Sequence, residues 1–459
     1  MIRQALRTLG AAVLLALFAT GPASAMHIEQ RDEVSYLRGP YNFDFYQRHN
    51  HSYRISASIH FAHGIQHDLL ALRPMEEHVK TDQASDAMYL DMLFNPPRTE
   101  PKMDYYAPYT NQFAWRLLRS IDWTHMHHEQ TYDILSDEGI PWQEKKEWTD
   151  RAVAYYLDQL DLPMSEAPLD VTMRRAAVMM KPYFSLFRNY YPQSNNFFYA
   201  AHWWHPVIYE ALMLAGNGEA QQAMLDATNK TYYEQVLRDR PLRMLLSREA
   251  MPRYSRMSPE SANIFDNLHM LHGIAYDILA YDAWSPDEQR EELYRVIRAM
   301  SHQPGDEKLA RKFALPYPDM DPRVYHDWMR GTDGAMTRIM LEMWDEMMPM
   351  MMPRGMAMDE SQHRRMSEQL RMKLRPGLQQ GELAGSLHDA MKTIMPDMRM
   401  APEAMRPGET PKQMVETMLQ GWHRKYGDMP DAQPISMADE PVPPVSPFQA
   451  IKAEAATMR

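Results

Sequence analysis

Apolar and aromatic residues gather around four stretches that carry the same order of polar ones. They read HFAHGIQHDLL at 60–70, HMHHEQTYDIL at 125–135, HWWHPVIYEAL at 202–212 and HMLHGIAYDIL at 269–279. Each holds a histidine, two residues, a second histidine, four residues and an acid. The sets are His60, His63 and Asp68; His125, His128 and Asp133; His202, His205 and Glu210; His269, His272 and Asp277. Positions i, i+3 and i+7 share one face of a helix, because each residue turns the chain by about 100°. His67 stands at i+7 in the first stretch, and Tyr132, Tyr209 and Tyr276 stand there in the others. Ile59, Phe61, Leu69, Trp123, Ile134, Trp203, Trp204, Leu212, Leu268, Leu271 and Ile278 flank the template. The pattern predicts four helices that turn their imidazoles into a core rather than toward water.

The copies start at 60, 125, 202 and 269, a near-constant period of the kind internal repeats leave. Between them lie amphipathic stretches bounded by helix-stopping and helix-starting residues. Examples are PWQEKKEWTDRAVAYYLDQLDLP, GEAQQAMLDATNKTYYEQVLRDRP and SPDEQREELYRVIRAMSHQP. Alternating β-branched runs and Asn-Gly hairpins are missing, so strands are not expected. The predicted fold is all-α: a multi-helix bundle of about four repeated units over 26–303, each with a His-bearing inner helix and a more polar outer one. A Met-rich helical region is expected over 304–430 and a Pro-rich, disordered tail over 431–459.

The first residues change where this bundle is expected to work. Arg3 and Arg7, the apolar run from Leu9 to Ala19, and Ala23-Ser24-Ala25 read as a secretory signal peptide over 1–25. The periplasm is the favoured location, with full secretion second. No later segment approaches the roughly 20 apolar residues of a spanning helix, so no membrane span is expected in the mature chain. With no Cys, there is no disulfide, thiolate nucleophile, iron–sulfur cluster or covalent haem attachment. A net charge of −12 argues against nucleic acid as a partner.

Eight imidazoles and four carboxylates in one core are costly unless they pair or hold something. Metal coordination is the simplest compensation, and it makes His60, His63, His67, Asp68, His125, His128, Asp133, His202, His205, Glu210, His269, His272 and Asp277 the candidate ligands. Imidazole suits copper, iron and zinc. The acids would ligate directly or accept the second ring N–H of a ligand. The alternative is a network of His–carboxylate hydrogen bonds that binds nothing. Tyr132, Tyr209 and Tyr276 read as core aromatics with hydrogen-bonded hydroxyls. His127 and the pair His49 and His51 read as surface residues first and auxiliary ligands second.

Two resemblances bear on this chemistry, each over about a dozen residues. His127-His128-x4-Asp133 is similar to a His-x4-Asp element of hemerythrins, although hemerythrins do not repeat it four times. His128, His205 and His272 resemble the helix-borne histidines of type-3 copper proteins such as tyrosinases, whose longer motifs are missing here. Both likenesses imply a dinuclear centre able to meet O₂.

The 42 methionines sharpen the choice of metal. Met336, Met340, Met343 and Met347 recur at helical spacing and read as a packing stripe. The run MMPMMMPRGMAM at 347–358 offers thioethers suited to Cu(I), or an adaptable docking surface. Copper is therefore preferred, with iron or zinc next and haem b behind them. The expected function is metal binding with redox or oxygen chemistry. A copper storage or resistance role, haem-based electron transfer and a metal-free scaffold are the alternatives. A periplasmic redox or metal-delivery partner would meet the Met-rich region. Motifs for a serine hydrolase elbow, a P-loop, a dinucleotide fold, an HExxH zinc site or an EF-hand are missing.

Overall fold

The computed structural model describes residue 37 and residues 39–331, leaving out 38, 160–162, 177–182 and 311–317, together with positions 339 and 365. The stretch read as a signal peptide, the Met-rich run at 347–358 and the Pro-rich tail expected over 431–459 lie outside the described residues. The chain is an all-α bundle, and no strand occurs among the described residues. In the first half the helices are α1 (Asp44–Arg48), α2 (Asn50–Leu72), α3 (His78–Phe94), α4 (Met103–Tyr106), α5 (Pro108–Ser136) and α6 (Trp142–Leu157). After α7 (Leu169–Ala176) come α8 (Leu186–Tyr190), α9 (Pro192–Ala215), α10 (Gly218–Thr231), α11 (Ser247–Ala250), α12 (Pro252–Met257), α13 (Pro259–Leu279) and α14 (Pro286–Met300). The last described helix is α15 (His326–Gly331). None of the described helices is long and apolar enough to cross a membrane.

The four His stretches lie on α2, α5, α9 and α13, which form the interior of the bundle. Every residue from 120 to 136 of α5 is buried, as are all from 197 to 212 on α9. The amphipathic stretches that follow fold as α6, α10 and α14; α6 and α10 keep exposed polar faces, whereas α14 is buried over most of its length, including all of 292–297. A further helix, α3, follows α2.

Each His helix is entered through a sharp bend with the same backbone geometry. The bend residues are His49 (φ −121°, ψ 42°), Ala114 (φ −136°, ψ 47°), Tyr191 (φ −125°, ψ 57°) and Ser258 (φ −139°, ψ 81°). Each stands eleven residues before the first histidine of its stretch: 49 and 60, 114 and 125, 191 and 202, 258 and 269. Two of the four precede prolines, Pro192 and Pro259, whose rings disfavour the helical conformation at the residue before them. A short helical piece leads into every bend, and within α5 it is the segment ahead of Ala114.

The two halves also match in detail. Lys145 on α6 donates to the carbonyls of Ile134, Leu135 and Asp137, closing the end of α5. Gln289 on α14, 144 residues later, donates to the matching carbonyls of Ile278, Leu279 and Tyr281 after α13. Asp122 accepts from the backbone N–H of Met103, and Asp266 from that of Ser247, again 144 residues on.

Candidate metal centre

The four inner helices bring their histidines to one place. The His60 and His125 rings stack with centroids 3.7 Å apart, and His202 meets His269 edge-on at 3.7 Å. These are the first histidines of the four stretches. The second histidines pair the other way round the bundle, His128 with His205 at 5.0 Å and His63 with His272 at 5.3 Å. His205 also lies 4.8 Å from His60, and His67 lies 5.4 Å from His272, so the rings form one continuous cluster. All nine are buried, none more than 5 % exposed.

Hydrogen bonding fixes the orientation of three rings through Nδ1. His60 Nδ1 is 2.7 Å from Glu100 Oε1, His128 Nδ1 is 2.9 Å from the Tyr209 hydroxyl, and His202 Nδ1 is 2.5 Å from the carbonyl oxygen of Phe198. A carbonyl can only accept, so His202 donates from Nδ1–H and Nε2 is left as its lone-pair nitrogen, the arrangement second partners impose on metal-binding imidazoles. For His202 that Nε2 has no hydrogen-bond partner. His63, His67 and His272 go further: neither nitrogen of any of the three has one. Buried polar atoms are almost always paired, since leaving one unpaired costs about 1–3 kcal/mol. Six such nitrogens on three neighbouring rings are a concentration of buried, unpartnered polar atoms.

Burial disfavours the charged form of five of these rings. It pushes the pKa of His67 and His202 down to about 3 and that of His63, His269 and His272 well below the usual imidazole value, with the other histidines adding to the effect for these last three. A neutral imidazole is the ligand form. Among the described residues, His128, His205 and His269 can place one donor atom each within 4.8 Å of one another. His60, Glu100 and Glu129 do the same beside them. Glu166, His302 and Asp306 form a third group. There, Asp306 is clamped by Arg175 at 2.6 and 3.1 Å, and Glu166 by His302 at 2.7 Å, which makes that group an ion-pair network.

The acids of the template accept backbone hydrogen bonds at helix starts. Asp68 accepts from the backbone N–H groups of Tyr109 and Thr110 at the start of α5, and Asp133 from those of Phe43 and Phe45 at the start of α1. Asp277 accepts from Ser185 and Phe187 at the start of α8, and Glu210 from Arg253 and Tyr254 at the start of α12. Each acid therefore closes the N-terminal end of the short helix that feeds its neighbour's bend, where exposed N–H groups and the helix dipole favour a carboxylate. None of the four belongs to a group of clustered donors among the described residues. Burial is deep enough to push Glu210 and Asp277 up to about 7 in spite of these bonds.

Two residues expected at the surface are buried. His127 is enclosed because α5 is packed on all sides, and its Nε2 is 3.0 Å from the Ser261 hydroxyl. His49 occupies the bend and reaches Gln222 at 2.7 Å, whereas His51 is exposed. The tyrosines at i+7 are core residues that tie the helices together. Tyr132 donates to the carbonyl of His205 at 2.5 Å and Tyr276 to that of His63 at 2.9 Å.

Glu100 and Glu129 were invisible to the template. Glu129 follows directly on His128, where the other copies have Gly64, Pro206 and Gly273; that departure is the signal that could have found it. Glu100 sits in a Pro-flanked connection with no periodicity to mark it. In comparisons with known proteins, no family model matches this chain, and no curated protein or solved structure matches it either.

Proposed function

We propose that this chain is an exported transition-metal protein whose histidine cluster binds copper by preference, with iron or zinc as the next choices. The observation that carries the reading is the set of six unpartnered nitrogens on His63, His67 and His272. A structural His–carboxylate network would have satisfied them, and the template acids that could have done so are spent on helix ends. Imidazole nitrogens without thiolates suit Cu, Zn and Fe. Rings already in contact favour ions over a haem, which would have to part them.

The burial of the donors bears on what the bound metal does. A large substrate does not reach rings exposed by 5 % or less. Electron exchange, or chemistry with a molecule as small as O₂, fits such a site better than hydrolysis of a polymer or a bulky ester. The signal peptide reading and the soft donors of the Met-rich run support an exported copper protein served by a redox or metal-delivery partner.

The test is elemental analysis of the untagged protein purified from its exported fraction, with a visible spectrum. A stoichiometric transition metal, with copper lost when His128 and His269 are both replaced by Ala, is the expected result. Failure to take up copper, iron or zinc after reconstitution of the folded chain overturns the reading.

A further inference from the structure

The two halves share one histidine framework but differ in what stands around it. In the first half the His60–His125 pair has Glu100 and Glu129 beside it, both buried, with Glu100 Oε1 2.7 Å and Glu129 Oε1 3.9 Å from His60 Nδ1. In the second half the His202–His269 pair is its counterpart. The residue matching Glu129, four after the first histidine, is Gly273. The residue matching Glu100, three before the short helix α11 as Glu100 is before α4, is Met244, buried among apolar residues. His202 Nδ1 accordingly turns to a backbone carbonyl instead of a carboxylate. The acids have no counterpart on the other side.

We propose that the cluster holds two unlike metal positions. One is a mixed nitrogen–oxygen position made by His60, Glu100 and Glu129; the other is an all-imidazole position made by His128, His205 and His269. The donor atoms within each set lie within 4.8 Å of one another. Carboxylate oxygen suits harder ions such as Mn²⁺ and Fe²⁺ alongside Zn²⁺, while three neutral imidazoles suit copper. The positions are adjacent. Glu129 follows His128 on α5, and the His205 ring lies 4.8 Å from His60 and 5.0 Å from His128. A centre of this make-up takes up two kinds of ion side by side, with His205 between them.

The inference rests on the metal reading above, and its test separates the two. The full chain is stripped with chelator, reconstituted anaerobically with an equimolar mixture of Mn²⁺, Fe²⁺, Zn²⁺ and Cu⁺, desalted, and analysed for each element. Two ions per chain are expected in the wild type, one of them copper. E100Q/E129Q should lose the non-copper ion and keep copper; H128A/H269A should do the reverse. The milder E129Q alone, judged folded by circular dichroism, should weaken retention of the non-copper ion at least tenfold, with E129D restoring part of it. One ion per chain, lost in both double variants, leaves the metal reading standing and overturns two unlike positions. Unchanged ion identity and count in folded E100Q/E129Q also overturns it. No metal in the wild type overturns both.

Discussion

The hydroxyl of Tyr132 on α5 donates to the carbonyl oxygen of His205 on α9 at 2.5 Å, and the tie is returned from the other side. Tyr209 on α9 lies 3.1 Å from the carbonyl oxygen of His128 and 2.9 Å from its Nδ1. The two bonds differ in what they touch, which gives a paired expectation. Tyr132→Phe removes a bond to backbone alone and should cost about 1–2 kcal/mol of stability with metal affinity little changed. Tyr209→Phe removes the partner of His128 Nδ1 as well, and should lower metal affinity by about 10–100-fold. Denaturant melts and competition titration with a chelator measure both; equal affinity losses in the two variants would contradict the assignment.

Asp68 separates capping from ligation. It accepts two backbone N–H bonds and the Thr110 hydroxyl at the start of α5. Asp68→Ala should destabilise the fold by about 1–3 kcal/mol while leaving the number of bound ions unchanged. Elemental analysis at a temperature where the variant is fully folded checks this. Loss of an ion there would return Asp68 to the ligand set.

Much of this architecture was legible from periodicity. Four stretches with imidazoles on one face and apolar flanks lead directly to four inner helices, but the amphipathic run at 286–300, expected outside, is buried over most of its length. The role of the acids was not legible: eight residues beyond the first histidine, about two turns along, an acid can serve as a ligand or close a neighbour's helix. Only the three-dimensional course of the chain places Asp133 against Phe43 and Asp277 against Ser185. His127 escaped for a related reason. Adjacent helical residues face different ways, and a residue opposite the site is exposed only on a helix with a wet side, which α5 lacks at that level. The bends at Tyr191 and Ser258 are written in the prolines that follow them, whereas those at His49 and Ala114 carry no such mark.

The neutral imidazoles make the metal-free protein sensitive to acid. Burial depresses the pKa of His67, His127 and His202 to about 3, against an ordinary 6.5. Between those values the unfolded chain binds protons that the folded chain does not, so stability is full above pH 6.5 and falls as pH drops toward 3. Each group contributes about 1.4 kcal/mol per pH unit in that window; Glu210, Asp266 and Asp277, raised to about 7, act in the opposite sense, and the depressed His63, His269 and His272 add to the decline. The net effect is a metal-free protein that loses stability as pH falls from 6.5 toward 3. His127→Phe, outside the metal cluster, should make the decline shallower. Urea melts of the apo-protein at a series of pH values test it, and stability independent of pH from 7 to 4.5 would contradict it.

His67 provides a sharper test, because the other three stretches show what an ordinary residue does there. Tyr276 reaches across to the carbonyl of His63 on the facing helix, as Tyr132 and Tyr209 reach theirs. His67 faces the opposite way across the same pair of helices, 5.4 Å from His272, and both its nitrogens lack a hydrogen-bond partner. His67→Tyr replaces a ring with two costly buried nitrogens by one whose single hydroxyl can reach the His272 carbonyl. Without metal, the variant should gain about 1–3 kcal/mol. With metal it should forfeit that gain, because binding to the native state stabilises it by mass action and the variant has one donor fewer. The expected signature is a crossing: His67→Tyr more stable than wild type when stripped, less stable when loaded. Thermal melts of both proteins in both states measure it. A variant less stable than wild type in the stripped state would mean that His67 already contributes to the fold as an ordinary core residue.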